Sequence, residues 1–435
     1  GDIGMLRQLC FQVFFFCFAS LVYAEELEVV VRSEHITLPI EVSCQTDTKD
    51  PKIQKYLSSL TEIFCKDIAL GDCLQPTAAS KESSSPLAIS LRLHVPQLSV
   101  VLLQSSKTPQ TLCSFTISQN LSVDRQKIHH AADTVHYALT GIPGISAGKI
   151  VFALSSLGKD QKLKQGELWT TDYDGKNLAP LTTECSLSIT PKWVGVGSNF
   201  PYLYVSYKYG VPKIFLGSLE NTEGKKVLPL KGNQLMPTFS PRKKLLAFVA
   251  DTYGNPDLFI QPFSLTSGPM GRPRRLLNEN FGTQGNPSFN PEGSQLVFIS
   301  NKDGRPRLYI MSLDPEPQAP RLLTKKYRNS SCPAWSPDGK KIAFCSVIKG
   351  VRQICIYDLS SGEDYQLTTS PTNKESPSWA IDSRHLVFSA GNAEESELYL
   401  ISLVTKKTNK IAIGVGEKRF PSWGAFPQQP IKRTL

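Results

Sequence analysis

Several things are scarce in this chain, and each scarcity removes a class of function. The formal net charge of +10 has no dense run of Lys or Arg behind it. A nucleic-acid binder concentrates positive charge on a stripe or patch, so the excess reads as a mild solubility or steering term. Only 6 histidines occur, few for the bases of a hydrolytic triad. Cys-x-x-Cys spacing, the commonest zinc signature, is absent. The apolar run near the N-terminus falls short of the roughly 20 residues a membrane span needs. What remains is ordinary globular composition, 40% hydrophobic and 20% charged, over 435 residues. That length holds two or three domains, or a repeat array with a smaller domain.

Met5-Leu6-Arg7 and the apolar stretch from Leu9 to Phe18 form a basic start and an apolar core. Val22-Tyr23-Ala24 then offers small residues before polar Glu25-Glu26, the pattern of a secretory signal peptide cleaved after Ala24. Residues 1–24 are therefore expected to be signal peptide plus upstream residues, and export permits disulfides. Eight cysteines lie beyond it: Cys44, Cys65, Cys73, Cys113, Cys185, Cys332, Cys345 and Cys355. Their connectivity cannot be read from sequence. Cys345 and Cys355 fall on the two arms of one expected hairpin and could face each other. The plainer reading makes them small buried hydrophobes.

Residues 25–145 alternate strands and helices. Leu27–Val31, Leu38–Val42, Leu87–Val95, Leu98–Leu103 and Thr111–Ile117 read as strands. Ile53, Leu57, Leu60, Phe64 and Ile68 recur at helical spacing, with Pro51 in the first turn. A second helix carries Ile128, Ala132, Val135 and Leu139 on one stripe, with Ser122 as its expected cap and Gly141 as its stop. The sum is a small α/β domain. His129, Asp133 and His136 share one face of that helix, a composition that could hold a metal. The outer pair stand about 10 Å apart along the axis, so a solvated face is the preferred expectation. Gly144-Ile145-Ser146-Ala147-Gly148 matches the nucleophile-elbow pattern Gly-x-Ser-x-Gly. An elbow must follow a strand and open a helix; this one does the reverse and is expected to be a flexible domain linker.

From residue 149 to residue 426 the chain repeats. Pro-x-aromatic occurs at Pro191-Lys192-Trp193, Pro237-Thr238-Phe239, Pro287-Ser288-Phe289, Pro333-Ala334-Trp335, Pro377-Ser378-Trp379 and Pro421-Ser422-Trp423, spaced 46, 50, 46, 44 and 44 residues apart. The best-formed turn, Ser336-Pro337-Asp338-Gly339, separates two apolar arms as a hairpin requires. A second column runs Leu168-Trp169, Ile214-Phe215, Leu258-Phe259, Leu308-Tyr309, Ile354-Cys355 and Leu398-Tyr399. Leu181-Thr182, Leu276-Leu277, Leu322-Leu323-Thr324 and Leu367-Thr368 are expected to mark an outer strand. Four strands in each of six units describe a six-bladed β-propeller. The first unit, at Lys149, has no Pro-x-aromatic strand before it, and the last such strand has no unit after it. Arg419–Phe426 is thus expected to complete the first blade, pairing N- and C-terminal segments and closing an open edge. Residues 427–435, basic and proline-bearing, read as a flexible tail. Asp172-x-Asp174-Gly175-x-Asn177 lacks the closing Glu of a calcium loop and sits where the other units carry a turn.

A signal peptide, a small α/β domain, the linker Leu139-Thr140-Gly141-Ile142 and six Pro-x-aromatic units together resemble the TolB family of the bacterial Tol-Pal system. The blade from Pro191 departs in lacking the Ser-Pro-Asp-Gly turn. The resemblance implies a periplasmic, non-enzymatic scaffold without cofactor, monomeric and not inserted in the membrane. It implies binding of the peptidoglycan-associated lipoprotein Pal at the propeller mouth and of TolA through the mature N-terminus, with roles in outer-membrane integrity and in envelope constriction at division. The residues themselves point to the same face. Loops leading into each inner strand converge on one mouth. They supply Asn233, Gln234, Thr283, Gln284, Arg328, Asn329, Ser330, Asn373, Lys374, Glu375, Lys418 and Arg419 as candidate partner contacts. Glu25, Glu26, Leu27, Glu28, Val29, Val30 and Val31 form a strand-like end that could add to a partner's sheet edge.

Two other classes compete. Propellers also precede hydrolase domains in peptidases, but none is expected here, since little chain follows the last blade strand. A carbohydrate- or calcium-binding propeller would need an aromatic platform or a full acidic loop at the mouth, and neither is evident.

Overall fold

The structure, a computed structural model, describes residues 37–79, 85–156, 165–195, 199–392 and 395–425. The expected signal peptide, the strand Leu27–Val31, the contact segment Glu25–Val31 and the tail 427–435 lie outside the described residues. The chain divides after Gly144 into two compact units.

The first unit runs β1 (Leu38–Thr46), α1 (Pro51–Leu70), β2 (Leu74–Ala78), β3 (Leu87–His94), β4 (Gln97–Gln104), β5 (Gln110–Thr116) and α2 (Leu121–Thr140). Its sheet order is β2-β1-β3-β4-β5, parallel across β1 and antiparallel from β3 onward. Strand β2 was not expected; it carries Pro76 and is tolerated because it lies at the edge. Leu57, Leu60, Phe64, Ile89, Leu91, Val100 and Val135 are buried together between helices and sheet, each contributing about 1.5–3 kcal/mol by leaving water. Asp50 caps α1 by accepting the Lys52 N–H at 2.8 Å. The cap of α2 is a correction: Asn120, not Ser122, supplies the accepting side chain, and Ser122 donates its N–H to it at 3.1 Å. Gly141 stops that helix at φ +70.

The solvated-face expectation for α2 is also corrected. His129, Asp133 and His136 are all buried. Helix α1 packs against that face, and its Asp67 meets His129 Nδ1 at 2.7 Å. His136 Nδ1 lies 3.0 Å from the Ile142 carbonyl, and its ring crowds Gly71 so closely that a Cβ there would sit 2.2 Å from Nε2. The apolar stripe marked one buried face, but two helices and a sheet enclose more of α2 than one stripe.

The second unit is the propeller, with six antiparallel blades. Numbered by inner strand, they are blade 1 (Glu417–Gly424), blade 2 (Ser188–Trp193), blade 3 (Gln234–Ser240), blade 4 (Gln284–Phe289), blade 5 (Ser330–Trp335) and blade 6 (Asn373–Trp379). Closure is as read from the repeat offset: Glu417–Gly424 pairs antiparallel with Lys149–Ser156, from Glu417 opposite Ser155 to Gly424 opposite Lys149. The outer strands are short and end at or just before the Leu-Thr column. Leu181, Val227, Leu276, Leu323, Leu367 and Ile411 each donate an N–H to the third strand at 2.7–2.9 Å as the chain turns inward.

One placement corrects the sequence reading and another decides between its alternatives, with Cys345 and Cys355 as small buried residues. The segment 144–148 was expected to be a flexible linker, yet Ile145, Ser146 and Ala147 are buried. Cys345 stands opposite Ile354 and Cys355 opposite Phe344, so the two sulfurs emerge on opposite faces of one blade. They pack in different inter-blade cores, and both are fully buried.

The Pro-x-aromatic motif stitches the ring. In three blades the middle serine accepts the backbone N–H of the aromatic residue of the next: Ser288 from Trp335 at 3.1 Å, Ser378 from Trp423 at 3.0 Å and Ser422 from Trp193 at 3.1 Å. Immediately before each proline the chain adopts a left-handed conformation, at Thr190, Met236, Asn286, Cys332, Ser376 and Phe420 with φ between 49 and 54. Each marks a bulge in its inner strand. A non-glycine residue held there costs about 1–3 kcal/mol, so six repeats imply a backbone that the rest of each blade over-determines.

Candidate interaction face at the propeller mouth

Inner strands start at the mouth, so in a four-stranded antiparallel blade the loops between strands two and three return to it. The two loop sets are tied together. Asp251 accepts both the backbone N–H and the side-chain amide of Asn233 at 2.7 Å. Asn301 accepts the Thr283 N–H at 2.8 Å, and Asn373 accepts the Arg352 N–H at 2.8 Å.

The twelve expected mouth contacts separate into two populations. Gln234, Gln284, Ser330, Lys374 and Lys418 all stand three residues before their proline and are all buried. They are corrections as exposed partner contacts: all five are enclosed within the blades, and Gln234, Gln284, Lys374 and Lys418 engage their polar atoms there. Gln234 accepts the Ile214 N–H at 3.3 Å and donates to the Leu230 carbonyl at 2.9 Å. Gln284 accepts the Leu258 N–H at 3.0 Å. The Lys374 ammonium donates to the Ser370 carbonyl, and burial lowers its pKa to about 8. Lys418 donates to Gly414 and meets Glu397 at 3.0 Å. Alternation along a strand explains the split: every second side chain points into the blade.

The other seven remain at the surface or partly so: Thr283, Arg328, Asn329 and Asn373 exposed, Asn233, Glu375 and Arg419 half-buried. Two of these, Glu375 and Arg419, join a charged lattice. Glu375 meets Arg352 with one oxygen and Arg419 with the other at 3.0 Å. Arg419 also meets Glu417 and donates to the Asn392 carbonyl at 2.6 Å. Beside it, a cleft of about 1040 Å³ opens along blades 6 and 1, lined by Asn373, Asn392, Glu397, Tyr399, Lys410 and Gly416.

Other mouth residues were missed. Tyr209 and Tyr253 are 67% and 70% exposed at matching loop positions of blades 2 and 3, each about 6.0 Å from a phenylalanine ring of its own blade. The signal was present: Tyr209-Gly210-Val211-Pro212, Tyr253-Gly254-Asn255-Pro256 and Asp303-Gly304-Arg305-Pro306 form a further repeat column. Glycine serves the turn, at φ 83, 96 and 86. Glu184, on the loop into blade 2, was also missed. It accepts from Tyr204 at 2.8 Å, Ser206 at 2.6 Å and Lys208 at 2.8 Å. Burial alone would raise its carboxyl pKa, but those donors together hold it below the ordinary value.

The Asp172 loop is a turn: Gly175 donates to the Asp172 carbonyl at 3.0 Å, and the Asp172 carboxylate takes Lys149 and, at 2.9 Å, Asn177. No group of three or more acidic, histidine or cysteine side chains that could hold a metal occurs among the described residues. No described helix is long and apolar enough to cross a membrane.

Comparison with known proteins agrees with this architecture. Residues 136–427 match the family described as the TolB beta propeller domain. A Protein TolB homolog of Chlamydia caviae is 65% identical over 372 residues, covering 85% of this chain and 87% of the relative. One from Chlamydia trachomatis serovar D is 59% identical over 356 residues, covering 82% of each. The crystal structure of TolB from Acinetobacter baumannii superimposes with a TM-score of 0.71, covering 92% of this chain and 98% of that one at 21% identity, a likeness of fold. The chain belongs to the TolB family, the β-propeller component of the Tol-Pal system.

Proposed function

We propose that the chain is a non-enzymatic periplasmic scaffold that binds Pal at the propeller mouth and TolA through its mature N-terminus, supporting outer-membrane integrity and envelope constriction at division. The observation that carries this reading is the mouth itself. Exposed polar side chains from the lead-in loops, including Thr283, Arg328, Asn329 and Asn373, share it with the exposed rings of Tyr209 and Tyr253. Aromatic anchors surrounded by adaptable polar groups suit a protein surface better than a small molecule. Family membership supports the Tol-Pal assignment in general. Residues 25–31, the mature N-terminus after signal cleavage, would engage TolA by adding to a sheet edge.

The test is capture of Pal and TolA from envelope extract by the mature chain, beside two variants. One carries Tyr209→Ser and Tyr253→Ser; the other lacks residues 25–31. Loss of Pal with the first and of TolA with the second, each leaving the other partner bound, is expected. Pal capture undiminished by the tyrosine changes refutes the mouth assignment. TolA capture undiminished by the deletion refutes the N-terminal one. If neither partner is captured by the intact chain, the scaffold reading fails.

A further inference from the structure

Among the residues preceding the six prolines, two neighbouring pairs touch across blades. Asn286 of blade 4 donates its N–H to the Met236 sulfur of blade 3 at 3.1 Å. Cys332 of blade 5 takes hydrogen bonds from Ser376 of blade 6. Cys332 differs from its equivalents in having a second thiol beside it. The bulge crowds residues 332 and 333 against a single partner on the next strand, between the pairs Ser331–Cys345 and Ala334–Ala343. Left-handed backbone at Cys332 turns its side chain to the same face as Cys345, where both pack in one core. Cys345 is paired with Ser331, the chain neighbour of Cys332, and the hydrogen bond between the two thiols brings their sulfurs within reach of each other.

The surroundings also differentiate the two sulfurs. Cys332 is half-buried, while Cys345 is fully enclosed. The Cys345 thiol donates to Cys332, and the Ser376 N–H with the Ser331 and Ser376 hydroxyls adds to it, outweighing burial and lowering the Cys332 pKa. Lys192 stands on blade 2, across the six-fold ring from blade 5. Burial lowers its own pKa, and the charge of Cys332 partly opposes that fall. Elsewhere burial pushes thiols up, Cys65 to about 11 and both Cys113 and Cys355 to about 12.

We propose that Cys332 and Cys345 form a redox-active dithiol at the central channel, with Cys332 the attacking and Cys345 the resolving sulfur. The co-reactant is a small disulfide. The Cys332 thiolate attacks one of its sulfurs, that S–S bond breaks, and the first small thiolate leaves. Cys345 gives up its proton and attacks the Cys332 sulfur, expelling the second thiolate, which takes a proton. Two protein thiols are oxidised to one disulfide, and one small disulfide is reduced to two thiols. The nucleophile is a hydrogen-bonded thiolate opposite a cation, the setting that makes a cysteine reactive.

The experiment uses the reduced full chain with oxidised glutathione, followed by alkylation, trypsin and mass spectrometry. Trypsin cuts at Lys340 and Lys341, so the disulfide links peptides 329–340 and 342–349. That cross-linked pair is expected as the main oxidised product. Labelling of Cys332 by monobromobimane should show a pH midpoint at least about one unit below that of exposed Cys44. Cys345→Ser should stop the reaction with glutathione attached to Cys332. Lys192→Met should move the Cys332 midpoint up and leave that of Cys44 in place. The proposal is overturned if the wild-type chain yields no 332–345 link, or if Cys332 labels with the same midpoint as Cys44. Both readouts are made on unmutated protein, so misfolding of a variant does not obscure the result.

Discussion

Blades 2 to 4 and blades 5, 6 and 1 offer the mouth the same backbone and different chemistry. On the first arc, Tyr209 and Tyr253 stand out in solvent above loops whose polar groups are already joined, as Asn233 is to Asp251. On the second, Arg352, Glu375, Arg419 and Glu417 form a continuous charged lattice that links three blades. Beneath both lies one buried polar column, filled by glutamine in blades 3 and 4 and by lysine in blades 6 and 1. The repeat therefore preserves what holds each blade and varies what each blade shows. On the proposed function, one arc would offer rings that lose little entropy on docking, and the other charges that would steer and orient a partner.

Removing the closing strand should break the comparison most completely. Deleting residues 419–435 takes Arg419 from the lattice and most of the partner of Lys149–Ser156 from blade 1. The ring should open, with loss of a cooperative thermal transition and rapid proteolysis of blade 1. A truncated chain that melts as sharply as the full one would show that closure is not structural.

Within the charged arc, Glu375→Ala takes the shared carboxylate from two half-buried guanidinium groups, leaving Arg419 with Glu417 and the Asn392 carbonyl. The two arginine side chains are 38% and 22% exposed, so solvent screens the loss, and about 1 kcal/mol is expected. Urea midpoints at low and high salt would check it, since the difference should shrink as salt rises.

The buried column allows a change in the other direction. Lys374→Gln places there the residue that blades 3 and 4 use, and should stabilise the chain near pH 7 by on the order of 1 kcal/mol. The sign follows from its depressed pKa of about 8 against an ordinary 10.5. Between those values the unfolded chain binds more protons, so wild-type stability climbs as pH rises through that window. The variant should lack that climb.

Glu184 titrates the aromatic arc. Its folded pKa is held below the ordinary 4.5, so its contribution is present above pH 4.5 and is lost as pH falls through the folded value. Glu184→Gln should flatten that acid limb in denaturant melts between pH 3 and 6. The smallest effect on stability belongs to Tyr209→Ser with Tyr253→Ser, within about 0.5 kcal/mol each because the rings are exposed. Should the pair instead unfold the chain, the rings would be structural and the contrast between the arcs would disappear.

Much of the molecule was legible in the residues. Turn chemistry, the Pro-x-aromatic column and its offset determined six blades and their closure, because a blade-length repeat can bury its apolar faces only against its neighbours. The two helices of the first unit followed from periodicity, with Pro51 marking the start of the first and Gly141 the end of the second. Tertiary structure alone decided which mouth residues face solvent: Asn373 and Lys374 are adjacent in a polar loop, yet strand alternation exposes the first and buries the second. It also buried His129 and Asp67 together from separate helices, a pairing across 62 residues that no local pattern contains. Likewise it set Cys345 beside Cys332 and not beside Cys355. Spacing along a hairpin suggests which residues come near, but register and a bulge determine the face on which each side chain emerges.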